Sequence, residues 1–355
     1  MLKTSDVISK KLYLRTRMTK NDIQDIKQLL TTQKKIVIVT HKNPDGDAIG
    51  STLGLYHYLK LNGHNAVVIT PNDYPEFLKW IPGENTILKY DADTKKANDL
   101  VENADLIFTL DINTLHRTGN MESILTNSNA IKVMIDHHQQ PDDYAKYMYS
   151  DAKMCSTSQM IYHFIEMLDD VNKIDSAIAT SLYVGIMTDT GSFRFAATTS
   201  TTHCVIADLI DKGANNANIH NNVYDNNSFN KLQLLGCALN NLRLIKEFNT
   251  AYITLSQNEL NSFDFKKGDT EGIVNYALSL KDVIFAVIFI ENKKESIIKI
   301  SLRSKDDFDV NAFARKNFNG GGHTNAAGGR SELDLKNTID KFISILPNYK
   351  NDLKS

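Results

Sequence analysis

A chain of 355 residues with a formal net charge of −2 is poorly suited to tight, sequence-independent binding of long nucleic acid, which needs an extended basic face. Hydrophobic residues make up 42% and charged residues 23%, an ordinary balance for a globular protein of two domains, and the longest apolar run, Val283 to Ile290, is too short to cross a bilayer. The three scattered cysteines argue against a disulfide framework and a zinc knuckle, so we expect a cytoplasmic protein without membrane contact.

The first residues do not look like part of the folded protein. Residues 1–18 are basic but contain neither an apolar core nor a small-residue cleavage site, so they do not form a secretory signal. We interpret them as a flexible extension, with the folded part beginning near Met18.

From residue 19 to residue 203, short apolar runs alternate with helical patterns. The runs that predict strands are 35–40, 66–70, 105–111 and 130–136. A helix between the first two strands has one apolar face and ends at Gly63. This alternation predicts right-handed βαβ crossovers and a parallel sheet. The fold class is therefore α/β, with an N-terminal parallel-sheet domain over 19–203.

The rest of the chain has a different pattern. Residues 204–245 are helical and rich in asparagine, which predicts a helical connector. Over 246–347 the β-rich runs 251–255, 283–290 and 297–302 combine with helical stretches at 271–280 and 334–346. The last two β-rich runs are separated by a polar turn and predict an antiparallel hairpin. We therefore predict a second, smaller α/β domain with a mixed sheet.

Acidic and imidazole side chains lie just after the predicted strands of the N-terminal domain. Because the carboxyl ends of parallel strands meet at one edge of a sheet, residues at these positions should converge. The residues concerned are His41, Asp45 and Asp47 after the first strand, Asp111 at the end of the third, Asp136, His137 and His138 at the end of the fourth, and Asp189 after a further helix.

Aspartate and histidine in this number exceed what one metal ion needs. Two ions about 3.5–4 Å apart that share a carboxylate would use them all and would clamp an in-line displacement at phosphorus. Mixed carboxylate and imidazole ligation without thiolate favours Mn²⁺, with Mg²⁺ or Co²⁺ as substitutes. A structural interpretation also stands: Asp45 and Asp47 could cap a helix or build an Asx turn, and Asp111 could be another turn residue.

The order of these motifs resembles that of the DHH phosphoesterase superfamily, which is named for the triplet Asp136-His137-His138. The resemblance covers almost everything from about residue 20 to about residue 345. The segment Gly320-Gly321-Gly322-His323 resembles the signature of the DHH-associated C-terminal domain. In length and arrangement the chain is most similar to the bacterial nanoRNase/pAp-phosphatase group. The resemblance implies a catalytic domain over 19–203 and a substrate-binding domain over 246–347.

The resemblance also implies roles for individual residues. His41, Asp45 and Asp111 would hold one ion, while Asp47, Asp111, His137 and Asp189 would hold the other, so that Asp111 bridges. His138 would contact the scissile phosphate or the leaving oxygen, and Asp136 would orient a ligand histidine. In the C-terminal domain the resemblance implies that Gly320, Gly321, Gly322 and His323 bind substrate. Arg303, at the end of the predicted strand 297–302, is expected to bind a phosphate, and the alternative is a surface ion pair with Asp306 or Asp307.

The activity implied is a metal-dependent phosphoesterase that degrades very short single-stranded RNA or DNA to mononucleotides. Removal of phosphate from 3′-phosphoadenosine 5′-phosphate (pAp) is expected from the same site, with water that the ions acidify as the attacking group. The alternative is hydrolysis of cyclic di-AMP or of its linear product pApA, and no residue separates the two. A non-catalytic nucleotide sensor is a further reading, although every expected ligand position carries the expected side chain. The resemblance also allows a homodimer.

Overall fold

The computed structural model describes residues 18–354. The predicted flexible extension, residues 1–18, therefore lies outside the described residues except for Met18. The chain divides into two compact units, of which the first ends at Asn226 and the second starts at Asn227. This boundary falls inside the stretch 204–245, and the domain limits drawn from the sequence stay a prediction.

The first unit is built on a six-stranded parallel sheet with the strand order β3-β2-β1-β4-β5-β6. Its strands are β1 (Lys35–Val39), β2 (Asn65–Thr70), β3 (Leu88–Lys89), β4 (Leu106–Leu110), β5 (Ile131–Asp136) and β6 (Tyr147–Ser150). The parallel sheet predicted from the sequence is thus confirmed. The order changes direction between β1 and β4, so the loops that follow these two strands open a crevice at the carboxyl edge.

Helices cover the sheet of the first unit. They are α1 (Lys20–Leu29), α2 (Gly46–Leu61), α3 (Thr94–Glu102), α4 (Glu122–Asn127), α5 (Thr157–Met167), α6 (Ser176–Asp189), α7 (Ser200–Asp211) and α8 (Asn216–Tyr224). Helices α2 and α6 approach closely, because a Cβ added at Gly50 would lie 2.5 Å from the carbonyl oxygen of Ser181. Both helices are buried along most of their length, which fixes the loops at their ends.

The second unit contains its own six-stranded sheet, with the order β11-β12-β10-β9-β8-β7. Its strands are β7 (Arg243–Ile245), β8 (Thr250–Leu255), β9 (Phe285–Asn292), β10 (Ile297–Ser304), β11 (Gly321–Gly322) and β12 (Ala326–Ser331). Only β8 and β9 pair in parallel within this sheet, so it is mixed, as predicted. The predicted hairpin is the antiparallel pair β9 and β10.

The helices of the second unit are α9 (Phe229–Asn240), α10 (Gln257–Ser262), α11 (Ile273–Leu278), α12 (Val310–Asn317) and α13 (Leu335–Ile345). Its core is rich in aromatic rings: Phe285 lies 4.9 Å from Phe313 and 5.8 Å from Phe342, measured between ring centroids. Across both units, none of the helices between residues 18 and 354 is long and apolar enough to span a membrane.

Candidate metal centre

The loop after β1 brings three of the predicted residues together. His41 is buried, and its Nδ1 donates to the carbonyl oxygen of Lys42 at 2.9 Å. Asp45 is the N-cap of α2, because its Oδ1 accepts from the amides of Asp47 and Ala48. The other oxygen, Oδ2, lies 3.7 Å from Nε2 of His41. Asp45 therefore caps the helix with one oxygen and faces the histidine with the other, so the capping and ligand interpretations do not exclude each other.

Asp111 lies at the centre of the cluster. It follows β4 with a φ of +62°, a left-handed conformation that is uncommon for a residue with a side chain. Its Oδ2 is 3.2 Å from Nε2 of His41, and its Oδ1 is 3.5 Å from Nε2 of His137. One carboxylate thus faces a histidine from each of two different loops, which is the placement that a bridging ligand needs.

His137, just after β5, repeats the arrangement of His41. Its Nδ1 donates to the carbonyl oxygen of Met154 at 3.1 Å. Its Nε2 lies 3.5 Å from Oδ2 of Asp189, at the end of α6, and 3.8 Å from Oδ2 of Asp47, in the first turn of α2. The structure therefore brings residues from four distant segments of the chain to one place.

Asp136 and His138 form a pair at the edge of this cluster, where Nδ1 of His138 also lies 3.4 Å from Oδ1 of Asp111. Oδ1 of Asp136 accepts from Nδ1 of His138 at 2.8 Å, and Oδ2 accepts from the backbone amide of His138 at 3.0 Å. Asp136 is completely buried. Asp136 therefore orients His138, and the role of Asp136 in orienting a ligand histidine stays a prediction.

Helix α5 supports the cluster, and the sequence analysis did not predict this helix. The backbone amides of Thr157 and Ser158, in its first turn, donate to the two carboxylate oxygens of Asp47 at 2.6 and 2.8 Å. The hydroxyl of Thr157 donates to Oδ1 of Asp111 at 3.1 Å. The Ser156 N-cap that precedes a run of apolar residues is the sequence feature that could have revealed it.

The directions of the pKa shifts follow from the crowding of carboxylates in this buried site. Burial raises the pKa of Asp47 well above its ordinary value, and the charges of Asp111 and Asp189 add to this effect. Burial alone would lower the pKa of His41, yet the carboxylates of Asp111 and Asp45 outweigh it and raise the pKa to about 10. The pKa of His137 is also raised well above its usual value, because the carboxylates of Asp111, Asp189 and Asp47 outweigh the effect of burial. A cation placed among these carboxylates would offset the excess charge.

The donor set fits a metal. Both His41 and His137 direct Nδ1 at a backbone carbonyl group, so Nε2 of each ring faces the carboxylates and is the atom that would bind a cation in place of a proton. Nε2 of His41 is buried and makes no hydrogen bond to any of residues 18–354. Among the groups of three side chains that converge closely enough to hold an ion are His41 with Asp45 and Asp111, Asp47 with Asp111 and His137, and Asp111 with Asp136 and His138.

The predicted substrate-binding residues of the second unit also lie close together. Gly321 and Gly322 form β11, which pairs with β12, and a Cβ added at Gly320 would lie 2.0 Å from the carbonyl oxygen of Gly328. The glycines are therefore needed for a close approach of two backbone segments. On the same strand, Ala326 pairs with Arg303 of β10, and its carbonyl oxygen accepts from the amide of His323 at 2.7 Å. The structure thus groups Arg303, His323 and the glycines at one end of this sheet.

Comparison with known proteins covers both units. Residues 35–186 match the DHH family, N-terminal domain, and residues 249–349 match the DHHA1 domain. A bifunctional oligoribonuclease and PAP phosphatase, NrnA, from Thermus thermophilus is 30% identical over 317 residues, which are 89% of this chain and 90% of that protein. The cyclic-di-AMP phosphodiesterase GdpP from Bacillus subtilis is 26% identical over 335 residues, which are 91% of this chain but 49% of that protein.

One solved structure is similar along almost the whole chain. It is the crystal structure of an exopolyphosphatase-related protein from Bacteroides fragilis, with a TM-score of 0.91 and 39% sequence identity. The alignment covers 95% of this chain and 99% of that one. These similarities extend well beyond the segments that carry the clustered side chains.

Proposed function

Because the chain belongs to the DHH family of phosphoesterases, we propose that it degrades very short oligonucleotides to mononucleotides and removes phosphate from pAp, using two divalent cations. The observation that carries this proposal is the position of the Asp111 carboxylate between two buried histidines from separate loops. The Thermus protein named for both activities, which is similar over most of both chains, supports the choice of substrates.

In this proposal one cation is held by His41, Asp45 and Asp111, and the other by Asp47, Asp111, His137 and Asp189. The carboxylate and imidazole donors favour Mn²⁺, with Mg²⁺ or Co²⁺ as substitutes. When bound, the cations supply a more acidic water and offset negative charge at phosphorus. The amides of Thr157 and Ser158 hold the Asp47 carboxylate in place, and the hydroxyl of Thr157 does the same for Asp111.

His138 is assigned to the leaving oxygen or the scissile phosphate. Its Nδ1 proton is directed to Asp136, so in this proposal the ring exchanges a proton or a hydrogen bond with substrate through Nε2. Burial keeps the pKa of His138 below its ordinary value, although the charge of Asp136 opposes this. Donation to a leaving oxygen or to the scissile phosphate requires a proton on Nε2, and the carboxylate of Asp136 at Nδ1 stabilises the ring when it carries that proton.

The second unit is assigned to substrate binding. Arg303 would contact a phosphate through its guanidinium group, and His323 would add a donor beside the glycine segment Gly320–Gly322. This assignment is supported by Ala326, which pairs with Arg303 and whose carbonyl oxygen accepts from the amide of His323. The proposal sets the enzyme in the cytoplasm, where the three free cysteines stay reduced, and it keeps a homodimer as an assembly to be measured by sedimentation.

A second candidate activity is hydrolysis of cyclic di-AMP or pApA. The similarity to GdpP over 91% of this chain favours it, although this chain spans about half the length of that protein. Both reactions break a phosphodiester or phosphomonoester bond at the same proposed cations, so substrate preference separates them.

The test is a parallel assay with Mn²⁺ and four substrates: a 5′-labelled RNA trimer, pAp, pApA and cyclic di-AMP. Stepwise release of mononucleotides from the trimer together with turnover of pAp is the expected result. Exclusive turnover of the cyclic compound would replace the proposal with the second candidate. Tight nucleotide binding without turnover of any substrate would instead identify a sensor.

A further inference from the structure

A strained turn directly follows Asp189. Gly191, Ser192 and Phe193 have φ angles of +57°, +61° and +66°, so three consecutive residues are left-handed. Two of the three carry side chains, for which this conformation is unfavourable. Such a turn persists only when its surroundings fix it, and strained turns of this kind concentrate at functional sites.

The surroundings fix this turn at several points. The amide of Phe193 donates to the hydroxyl oxygen of Thr190, which is completely buried. On the far side, the hydroxyl of Ser192 lies 3.1 Å from Nε2 of His220. Because Nδ1 of His220 donates to the carbonyl oxygen of Asn216, Nε2 is the ring atom that contacts Ser192. Helix α8 therefore anchors the turn from outside α6.

The two phenylalanines of this turn point in different directions. The ring of Phe193 packs edge-on against Tyr183, 5.8 Å away between centroids, and joins the core of the first unit. Phe195, by contrast, is 37% exposed. Its amide donates at 3.1 Å to the carbonyl oxygen of Thr190, the residue next to Asp189. The backbone of this exposed phenylalanine is thus tied to the residue that directly follows the proposed ligand Asp189.

The exposed ring is held by its neighbours. A Cβ added at Gly191 would lie 2.4 Å from Cζ of Phe195, so glycine is required for the ring to lie over the turn. The guanidinium carbon of Arg194, an exposed residue, lies 5.7 Å from the centroid of the ring. A fixed aromatic ring next to an arginine is a surface that stacks on a base and contacts phosphate.

We propose that the Arg194–Phe195 pair is the nucleobase platform of this enzyme, with the ring of Phe195 stacking on a base of the substrate and Arg194 contacting a phosphate of the same nucleotide. This inference rests on the proposed function and specifies what the site recognises. An enzyme for inorganic polyphosphate has no base to stack, so the platform selects nucleotides. Stacking tolerates any base, because every base has a π face, so the platform predicts little base preference.

The experiment measures binding of AMP and of ribose 5-phosphate, which lacks the base, to the full-length manganese-loaded protein by calorimetry. Phe195→Ala should weaken AMP binding by about tenfold or more and leave ribose 5-phosphate binding within about twofold of the parent protein. Phe195→Trp should retain AMP binding because it keeps an aromatic face. Phe195→Leu should not retain AMP binding, because leucine is apolar but has no aromatic face. Arg194→Ala should weaken both probes.

Phe229→Ala is the matched control, since Phe229 is 75% exposed on α9 of the second unit. This variant should bind both probes normally. The platform would be overturned if Phe195→Ala weakened binding of both probes equally or bound AMP normally. Normal AMP binding by Phe195→Leu would overturn it as well. AMP is not hydrolysed, so the result does not depend on turnover. Failure of the proposed function would appear separately, as an unmodified parent protein that binds AMP but cleaves neither the trimer nor pAp.

Discussion

At the scale of single residues, Asp111 combines an unusual backbone with an unusual charge environment. Only glycine, asparagine and aspartate adopt its left-handed conformation readily. Burial alone would raise the pKa of its carboxyl group, but the neighbouring histidines hold the pKa well below its usual range. The backbone thus restricts this position to glycine, asparagine or aspartate. Of these three only aspartate carries the charge that the site requires.

Asp111→Asn is therefore the informative substitution, because asparagine keeps the backbone conformation and removes the charge. We expect metal content to fall by at least one ion per chain and turnover to fall by about a thousandfold or more. Metal analysis after gel filtration and the trimer assay measure the two effects. Asp91→Asn, at an exposed position, is the control. Normal metal content in Asp111→Asn would remove the bridging role.

His138→Ala separates the proton-transfer step from metal binding. Asp136 holds the ring through its Nδ1 atom. Loss of the ring should therefore leave both ions in place and lower kcat by about a hundredfold. Asp136→Asn should lower kcat as well, since it weakens the orientation of the ring. A loss of bound metal equal to that of Asp111→Asn would show that His138 is a ligand instead.

At the scale of elements, close helix contact decides where the ligands lie. A Cβ at Gly50 would meet the carbonyl oxygen of Ser181 at 2.5 Å and the backbone nitrogen of Gly185 at 2.8 Å. Backbone atoms cannot move aside as a flexible side chain can. The contact between α2 and α6 therefore fixes the distance between Asp47 and Asp189, which lie on these helices.

Gly50→Ala should destabilise the protein by about 2 kcal/mol because it forces the two helices apart. Gly236→Ala in α9 is the matched control, since nothing lies within 4 Å of the added Cβ and alanine favours a helix. That control should leave stability unchanged or raise it by about 0.5–1 kcal/mol. Urea unfolding measures both, and equal stability of the two variants would contradict the close contact.

A second inter-element contact gives a pH dependence. The hydroxyl of Tyr58 donates to Asp170 at 2.6 Å, and Lys173 lies 3.0 Å from the same oxygen. Burial raises the pKa of Asp170, but these contacts outweigh it and hold the pKa below its usual range. A depressed pKa in the folded state means that the stabilisation exists above the unfolded value and disappears as the pH falls through the folded value.

Asp170→Asn should therefore lose less stability than the parent protein between about pH 6 and about pH 3. The difference should be small, because the pair is partly exposed and solvent screens it. Urea midpoints at several pH values give the measurement, and parallel curves for the two proteins would contradict the contact.

The same scale shows what sequence can and cannot predict. The main strands of the first sheet were predictable because their apolar runs are continuous and end in polar residues. Helix α5 was missed although its Ser156 N-cap and the apolar residues that follow are visible in the sequence. The edge strand β3 has two residues, too few for any pattern. The contact of Asp136 with His138 depends on side-chain direction, which spacing alone does not determine.

At the scale of the whole molecule, the cation site should contribute to stability. Its carboxylates are buried close together, and without cations they repel one another. Treatment with EDTA should lower the melting temperature, and Mn²⁺ at about a hundred times its dissociation constant should restore about 2.7 kcal/mol. Calorimetry of the chelated and reloaded protein measures this. An unchanged melting temperature would mean that no cation binds at the cluster.

The proposed ligands come from His41 to Asp189, on loops and helix ends separated by whole strands. No short fragment of the chain contains all of the proposed ligands. A polypeptide emerging from the ribosome could therefore not acquire its full complement of ions until Asp189 has left the exit tunnel and α6 has docked on α2. Metal loading would then report that synthesis has passed Asp189, and chains terminated before it would be inactive rather than partly active phosphoesterases.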